Sequence, residues 1–392
     1  MVNFSPMKIL AVDIGTGTQD ILLYDSRLEL ENCFKLVAPS PTMMVHRQIR
    51  EAAQQARPVL LHGVTMGGGP SQWAAEAHLR LGLSVYATHQ AARSFNDDLE
   101  KVTRMGIQVV SEDEAIQLPQ NVLRVRLFDF DFYSIRRAFE LFGVSLAALD
   151  AIAVAAFDHG DAPPSVSDRQ FRFDYLEQRI RAENRLSAFA YRAEDVPPEM
   201  TRLQAIVDSS RGVDAPLMVM DSAPAAVLGA SYDPQVTMID RKLITNLGNL
   251  HTLAFRLGPD GIEGLFEHHT GLIDLPKLEG LLRRLADGNL QHQEIFDDHG
   301  HGALVLHQEA LLFGSGTFDV AVTGPRRGLF HTHPAPGELR PYLAVPFGDM
   351  MLAGCIGLLS AVADKMPELA GPIRASLSGC SGPRSAPWEL EI

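Results

Sequence analysis

Basic charge, cysteine and long apolar runs are all scarce in this chain of 392 residues. Its 34 Lys and Arg stand against 48 Asp and Glu, a formal charge of −14. Binding a polyanion by charge needs a net basic face, so this balance argues against nucleic acid and anionic membrane as partners. The cysteines, Cys33, Cys355 and Cys380, are at least 25 residues apart (380 − 355), which leaves no CxxC, CxxxCxxC or zinc-ribbon spacing. An iron–sulfur cluster held by this chain alone is excluded on that ground. The longest apolar run, Met350 to Ala363 with one serine, has 14 residues, short of the roughly 20 that span a bilayer. The first residues, MVNFSPMKILAVDIG, lack a basic n-region and a small-residue cleavage site, so a cytoplasmic location is expected.

What is present is an ordinary globular composition, 46% apolar and 21% charged. The length allows about two or three domains. KILAVDIGTGTQDILLYD, residues 8 to 25, reads as strand, glycine turn and strand. A similar unit recurs in KLITNLGNLHTLAFR, residues 242 to 256, with Gly248 standing 233 residues after Gly15. Two related halves follow from that spacing. Between the hairpins, strands are expected at Arg57–Thr65, Ser84–Thr88, Asn121–Phe128, Ala151–Phe157 and Pro216–Met220. Helices are expected at Ser71–Leu81, Ser134–Leu141, Asp174–Phe189 and Ser222–Ala230, an alternation that marks an α/β protein. Beyond the second hairpin, helices are expected at Leu275–Ala286, Gly302–Leu312 and Asp349–Asp364, and a strand at Phe318–Thr323.

The order of these pieces resembles the actin, sugar-kinase and heat-shock-70 ATPase superfamily. AVDIGTGTQDILLYD resembles its first phosphate motif and ITNLGNLHTLAF its second; VMDSAPAAVLGA and GDMMLAGCIGLLSA resemble its two connecting helices, and VAVTGPRRGLF its adenosine motif. AVAAFDHG is similar to a strand-and-turn of carbohydrate kinases. The chain as a whole is similar to an uncharacterised prokaryotic family labelled as pyruvate formate-lyase activating enzyme. Activators of that kind are radical enzymes with a CxxxCxxC loop, which the cysteine spacing here cannot supply, so a radical SAM enzyme is not expected.

The superfamily resemblance implies two ribonuclease H-like α/β lobes around a nucleotide cleft. The first lobe would span 1–232 with an α/β insertion at about 57–130, the second 233–370, and 371–392 would be a loosely held tail. ATP and magnesium are the implied ligands, with an unknown small-molecule or protein substrate; homo-oligomerisation stays open. Gly15, Thr16, Gly17 and Thr18 would hold phosphate oxygens on one side, and Asn246, Gly248, Asn249 and Thr252 on the other. Asp13 would orient hydrated magnesium, and Gly324, Pro325 and Arg326 would flank the adenosine. Asp158 would serve as general base and His159 as a phosphate or substrate donor. Two departures stand out: Asp20 replaces a frequent cation in the first motif, and Asn246 replaces an aspartate in the second. Both remove charge that a polyanion or a cation would use.

Histidine is the other concentration, 14 in all. His269, Asp298, His299 and His301 form a candidate divalent-metal set, since imidazole and carboxylate suit zinc, manganese or iron. The Met66-Gly-Gly-Gly-Pro-Ser71 turn before a helix is a candidate anion cradle. Three functions therefore stay open: an ATP-dependent phosphotransferase or ATPase, a slow or non-hydrolysing nucleotide-dependent regulator or activator partner, and a His/Asp metal-dependent hydrolase.

Overall fold

The computed structural model describes residues 5–314, 316–332, 337–379 and 385–390. Strands β1 (Lys8–Ile14), β2 (Thr18–Asp25) and β3 (Phe34–Pro39) form an antiparallel meander. The chain then leaves through the helix Pro41–Gln54 into a parallel sheet of β4 (Val59–Gly63), β5 (Val85–Thr88), β6 (Gln108–Val110) and β7 (Leu123–Leu127). It returns to the first sheet with β8 (Ala151–Ala156), β9 (Ala190–Arg192) and β10 (Leu217–Asp221), giving the order β3-β2-β1-β8-β10-β9.

The second large sheet repeats this plan. β11 (Lys242–Leu247), β12 (His251–Gly258) and β13 (Gly261–His269) are the antiparallel meander, β14 (Gly302–Val305) adds to its edge, and β15 (Val320–Thr323) and β16 (Pro341–Leu343) run parallel to β11. Its order is β14-β13-β12-β11-β15-β16. In both sheets the first strand pairs antiparallel with the second and parallel with the strand on its other side. This is the duplicated actin-like architecture, with the parallel sheet of β4 to β7 inserted in the first lobe.

Central strands are apolar on both faces because both are covered. Leu10, Val12 and Ile14 of β1 join Ile244, Leu253 and Phe255 of the second lobe in one core. Ile9 and Ala11 face the opposite way, onto Cys355, Ile356 and Leu359 of the helix Ala353–Lys365. That helix follows β16, yet it packs on β1 and β8, so the end of the chain crosses back to the first lobe. It crosses the helix Ser222–Ala230 so tightly that a Cβ on Gly229 would lie 1.7 Å from the Ala353 carbonyl and one on Gly357 1.9 Å from that of Ala225. Burial accounts for the apolar Met350–Ala363 run. Among the described residues no single helix is long and apolar enough to cross a membrane, although the bent pair Met350–Lys365 and Pro367–Leu377 passes by length and composition.

Two expectations need correction. Residues 302–312 are not helical: Gly302–Val305 is edge strand β14, whose short apolar run satisfies β13. The segment expected to be a loose tail begins with the helix Ala370–Leu377, in which Ile373 and Leu377 are buried. Residues 380–384, including Cys380, and 391–392 lie outside the described residues.

One contact sets the register of β15 and β16. The Asp319 carboxylate accepts from the Gly314 and Arg340 amides (2.8 and 2.9 Å) and from Arg340 Nε and Nη2 (3.1 and 2.9 Å). The Arg340 hydrogen bonds hold its carboxyl down at about 2. A depressed carboxyl stabilises the fold above its unfolded value near 3.8, and that contribution disappears as pH falls through about 2. Arg340 is half exposed, so Asp319→Ala should cost about 1–2 kcal/mol at pH 7. Urea unfolding at pH 7 and pH 2.5 checks this: the gap from wild type should narrow in acid.

Candidate functional site

The two hairpin turns are superposable in their hydrogen bonding. Gly15 N–H donates to the Thr18 carbonyl and Gly248 N–H to that of His251, both at 2.9 Å, and both pairs are offset by 233 residues (248 − 15 and 251 − 18). Glycine is needed at 248 because a Cβ there would lie 2.7 Å from the His251 carbonyl. Among the described residues the amides of Thr16, Gly17, Asn249 and Leu250 donate to nothing. The turns meet across a cleft of about 500 Å³: a Cβ on Gly17 would lie 3.1 Å from Asn249 Nδ2. Unpaired backbone amides at a tight turn form an anion nest.

The insertion reaches the same place. In its sheet, order β6-β5-β4-β7, the direction of winding reverses between β4 and β7, and ligands in open α/β sheets bind outside the strand ends at such a switch point. There Gly69 sits 3.3 Å, measured from an added Cβ, from the Leu250 side chain. The Gly67 amide is already engaged by the Asp129 carboxylate at 3.2 Å, and Arg202 braces that carboxylate at 2.6 Å. The candidate anion cradle thus has one amide fewer to offer.

Asp13 and Asp20 are directly opposed across β1 and β2, so their carboxylates share a face. Asp13 Oδ1 and Asp20 Oδ1 are buried without a hydrogen-bond partner among the described residues. Burial, then Asp20 and Asp221, pushes the Asp13 carboxyl well up; burial, with Asp349 adding and Thr18 opposing, takes Asp20 to about 7. Gly354, at the start of the helix Ala353–Lys365, lets Asp13 stand there, since its Cβ would lie 1.9 Å from Asp13 Oδ2.

A cluster of imidazoles occupies the other wall. His159 follows β8, His251 opens β12, His269 ends β13 and His301 precedes β14. Ring centroids of His251 lie 5.1, 5.0 and 5.1 Å from those of His159, His301 and His269. Burial holds His159 well below its usual range, aided by repulsion from His251 and His301; it takes His301 down to about 3 and His269 to about 4. Behind them Glu267 pairs with Arg172, which spans the lobes from the helix Asp168–Ala182 and also binds Asp221 and the Asp158 carbonyl.

The expected site residues divide between those that line the cleft free, those already engaged and those off its lining. Asp158 is 3% exposed and its carboxylate is filled by the amides of Gly160, Arg202 and Leu203 at 2.9 to 3.0 Å. It lines the cleft, but these bonds cap the first turn of the helix Thr201–Ser209 and occupy three of its roughly four lone-pair positions, which ties it to a structural role. Thr252 is buried and hydrogen-bonded to the Thr270 hydroxyl, so it does not reach the cleft. Gly324 and Pro325 line the cleft beside Asn246, whereas Arg326 is exposed and is not part of the lining. Asp298 pairs with His268 and Lys277, and His299 sits in an exposed turn, so neither joins His269 and His301. Glu267 and Arg172 gave no signal in the sequence because they meet only where the two lobes come together.

Solved structures similar to this chain include an exopolyphosphatase-like protein at 10% identity and TM-score 0.24, covering 82% of this chain and 66% of that one. The ROK hexokinase from Thermus thermophilus is 14% identical with TM-score 0.29, covering 91% of this chain and 100% of that one. A carbohydrate kinase from Novosphingobium aromaticivorans is 12% identical with TM-score 0.22, covering 94% and 82%. No sequence among curated proteins matches. The model of the family described as "Putative pyruvate format-lyase activating enzyme (DUF1786)" matches residues 66–329, about two thirds of the chain, and the chain belongs to that family.

Proposed function

We propose that the chain binds ATP with magnesium between its lobes and transfers or hydrolyses the terminal phosphate. The observation that carries this reading is the pair of glycine turns with the same hydrogen bond, facing each other across one cleft with two unpaired amides apiece. Thr16, Gly17, Asn249 and Leu250 would donate to phosphate oxygens, while Gly324 and Pro325 would lie against the nucleoside. The unpartnered oxygens of Asp13 and Asp20 fit magnesium, a hard cation that takes carboxylates and keeps several waters. When bound, it would neutralise phosphate charge. Asp20 thereby supplies the carboxylate that Asn246 lacks, which favours turnover over a purely regulatory role. The radical chemistry in the family's description forms no part of this reading, because the cysteine spacing offers no cluster loop.

At 100 times its dissociation constant a ligand stabilises by about 2.7 kcal/mol, or about 3 °C in a chain of this size. ATP with magnesium should produce that shift and ATP with chelator much less. No shift with either would sink the nucleotide reading.

A further inference from the structure

We infer that His159, His251 and His301 form a binding site for one divalent transition-metal ion that bridges the two lobes and opens onto the cleft. One nitrogen from each of these residues lies within 4.8 Å of the others. His159 comes from the first lobe, at the end of β8; His251 and His301 come from the second. Tetrahedral coordination at about 2.0–2.1 Å puts ligand nitrogens roughly 3.3 Å apart, so the ion draws the three rings inward and the lobes with them.

The polar accounting points to a ligand. His301 is fully buried, and neither of its ring nitrogens has a hydrogen-bond partner among the described residues. A satisfied core histidine would hydrogen-bond at least one nitrogen, and each buried orphan costs on the order of 1–3 kcal/mol. A metal ion would repay this by accepting a lone pair from one ring nitrogen of each histidine.

Glu267 supplies the outer support such sites require. Its Oε1 lies 3.2 Å from His251 Nδ1, close enough to orient that ring N–H while the opposite nitrogen binds metal, and 3.7 Å from His301 Nε2. Arg172 holds the other oxygen of Glu267 at 3.3 Å. The cleft thus carries two chemically distinct cation sites: paired carboxylates at Asp13 and Asp20 for a hard ion, and imidazoles for a borderline ion such as zinc, cobalt or iron. Three protein ligands leave a fourth position for water or an oxygen of a cleft-bound substrate, the arrangement of a catalytic rather than a structural site. This inference stands on the imidazoles alone and does not depend on nucleotide binding.

Cobalt titration of the chelator-stripped full chain tests it. The wild type should take up one equivalent of Co²⁺ with the visible absorption of a low-coordinate nitrogen site, displaced by Zn²⁺. His159→Ala and His251→Ala should each weaken uptake by at least about 100-fold, and the positioning change Glu267→Gln by about 10- to 100-fold. Asp13→Asn should leave the absorption and its stoichiometry intact, which separates this site from the carboxylate pair. Failure of wild-type protein to saturate at one equivalent overturns the site, as does equal uptake by both folded histidine variants. Should a variant fail to fold by circular dichroism, His301→Asn replaces it. A missing ATP shift with cobalt uptake retained would remove the nucleotide reading and leave this one.

Discussion

Asp13→Asn should lower ATP turnover by on the order of 10²–10³-fold, the cost of removing one preorganised electrostatic group, and should also raise the urea midpoint of the nucleotide-free protein. The two effects have opposite signs for one reason. In the folded chain the Asp13 carboxyl is buried beside Asp20, with Oδ1 unpartnered, and burial pushes its ionisation up. Keeping two facing carboxylates out of water costs stability unless a cation joins them. Asparagine keeps the shape and its amide can donate to Asp20, so the stored cost is released and the magnesium position is weakened. Phosphate release with ATP and magnesium, together with equilibrium urea unfolding without them, reads both effects. Turnover at the wild-type level would remove Asp13 from the mechanism; a lower midpoint would mean that the carboxylate is a structural partner.

The lobes were legible in the sequence where the signal is local. Gly15 and Gly248 mark turns that any reader of short apolar runs would place, and their shared offset announces the duplication. The helix Ser222–Ala230 and the helix Ala353–Lys365 show as small-residue or wholly apolar runs because each is buried on nearly every side. What was hidden depends on pairing across long separations. β13 ends in Glu267, His268 and His269, and the partner of Glu267, Arg172, lies 95 residues away. β14 is a four-residue edge strand with a leading glycine, too short to carry its own period.

The site divided along the same line. Asp20 reads as a lost cation when compared with a motif, and only the register of β1 with β2 shows it facing Asp13 as a second carboxylate. His269 and His301 were singled out by their neighbours in sequence, but Asp298 and His299 came with them, because sequence proximity cannot tell which side of a turn faces the cleft. His159, in the turn after β8, and His251, opening β12, complete the cluster.

Arg172→Met should destabilise the chain by about 3–5 kcal/mol, the cost of leaving buried carboxylates without their counter-ion. The guanidinium is fully buried. It donates through Nε to Glu267 at 3.3 Å, to Asp221, and to the Asp158 carbonyl at 3.0 Å, and it lies 4.4 Å from the Phe157 ring centroid. Burial alone would push the Glu267 carboxyl up; the Arg172 guanidinium beside it reverses this and holds it below its ordinary range. Methionine fills the stem but leaves Asp221 and Glu267 as two uncompensated charges. Lysine should rescue little, since one ammonium cannot reproduce a planar fork directed at several acceptors. Neutralising the acids instead, in Arg172→Met/Asp221→Asn/Glu267→Gln, should recover most of the loss, because a buried pair contributes less than the penalty for breaking it. Urea unfolding of the three variants separates these expectations: if Arg172→Met alone matches wild type, the acids are not held ionised by Arg172. Since Arg172 belongs to the first lobe and Glu267 to the second, the single variant should also loosen the contact that sets the imidazoles opposite one another. Its cobalt affinity should then fall along with its stability, while the triple variant, stable again but without the carboxylate behind His251, should bind cobalt as weakly as Glu267→Gln.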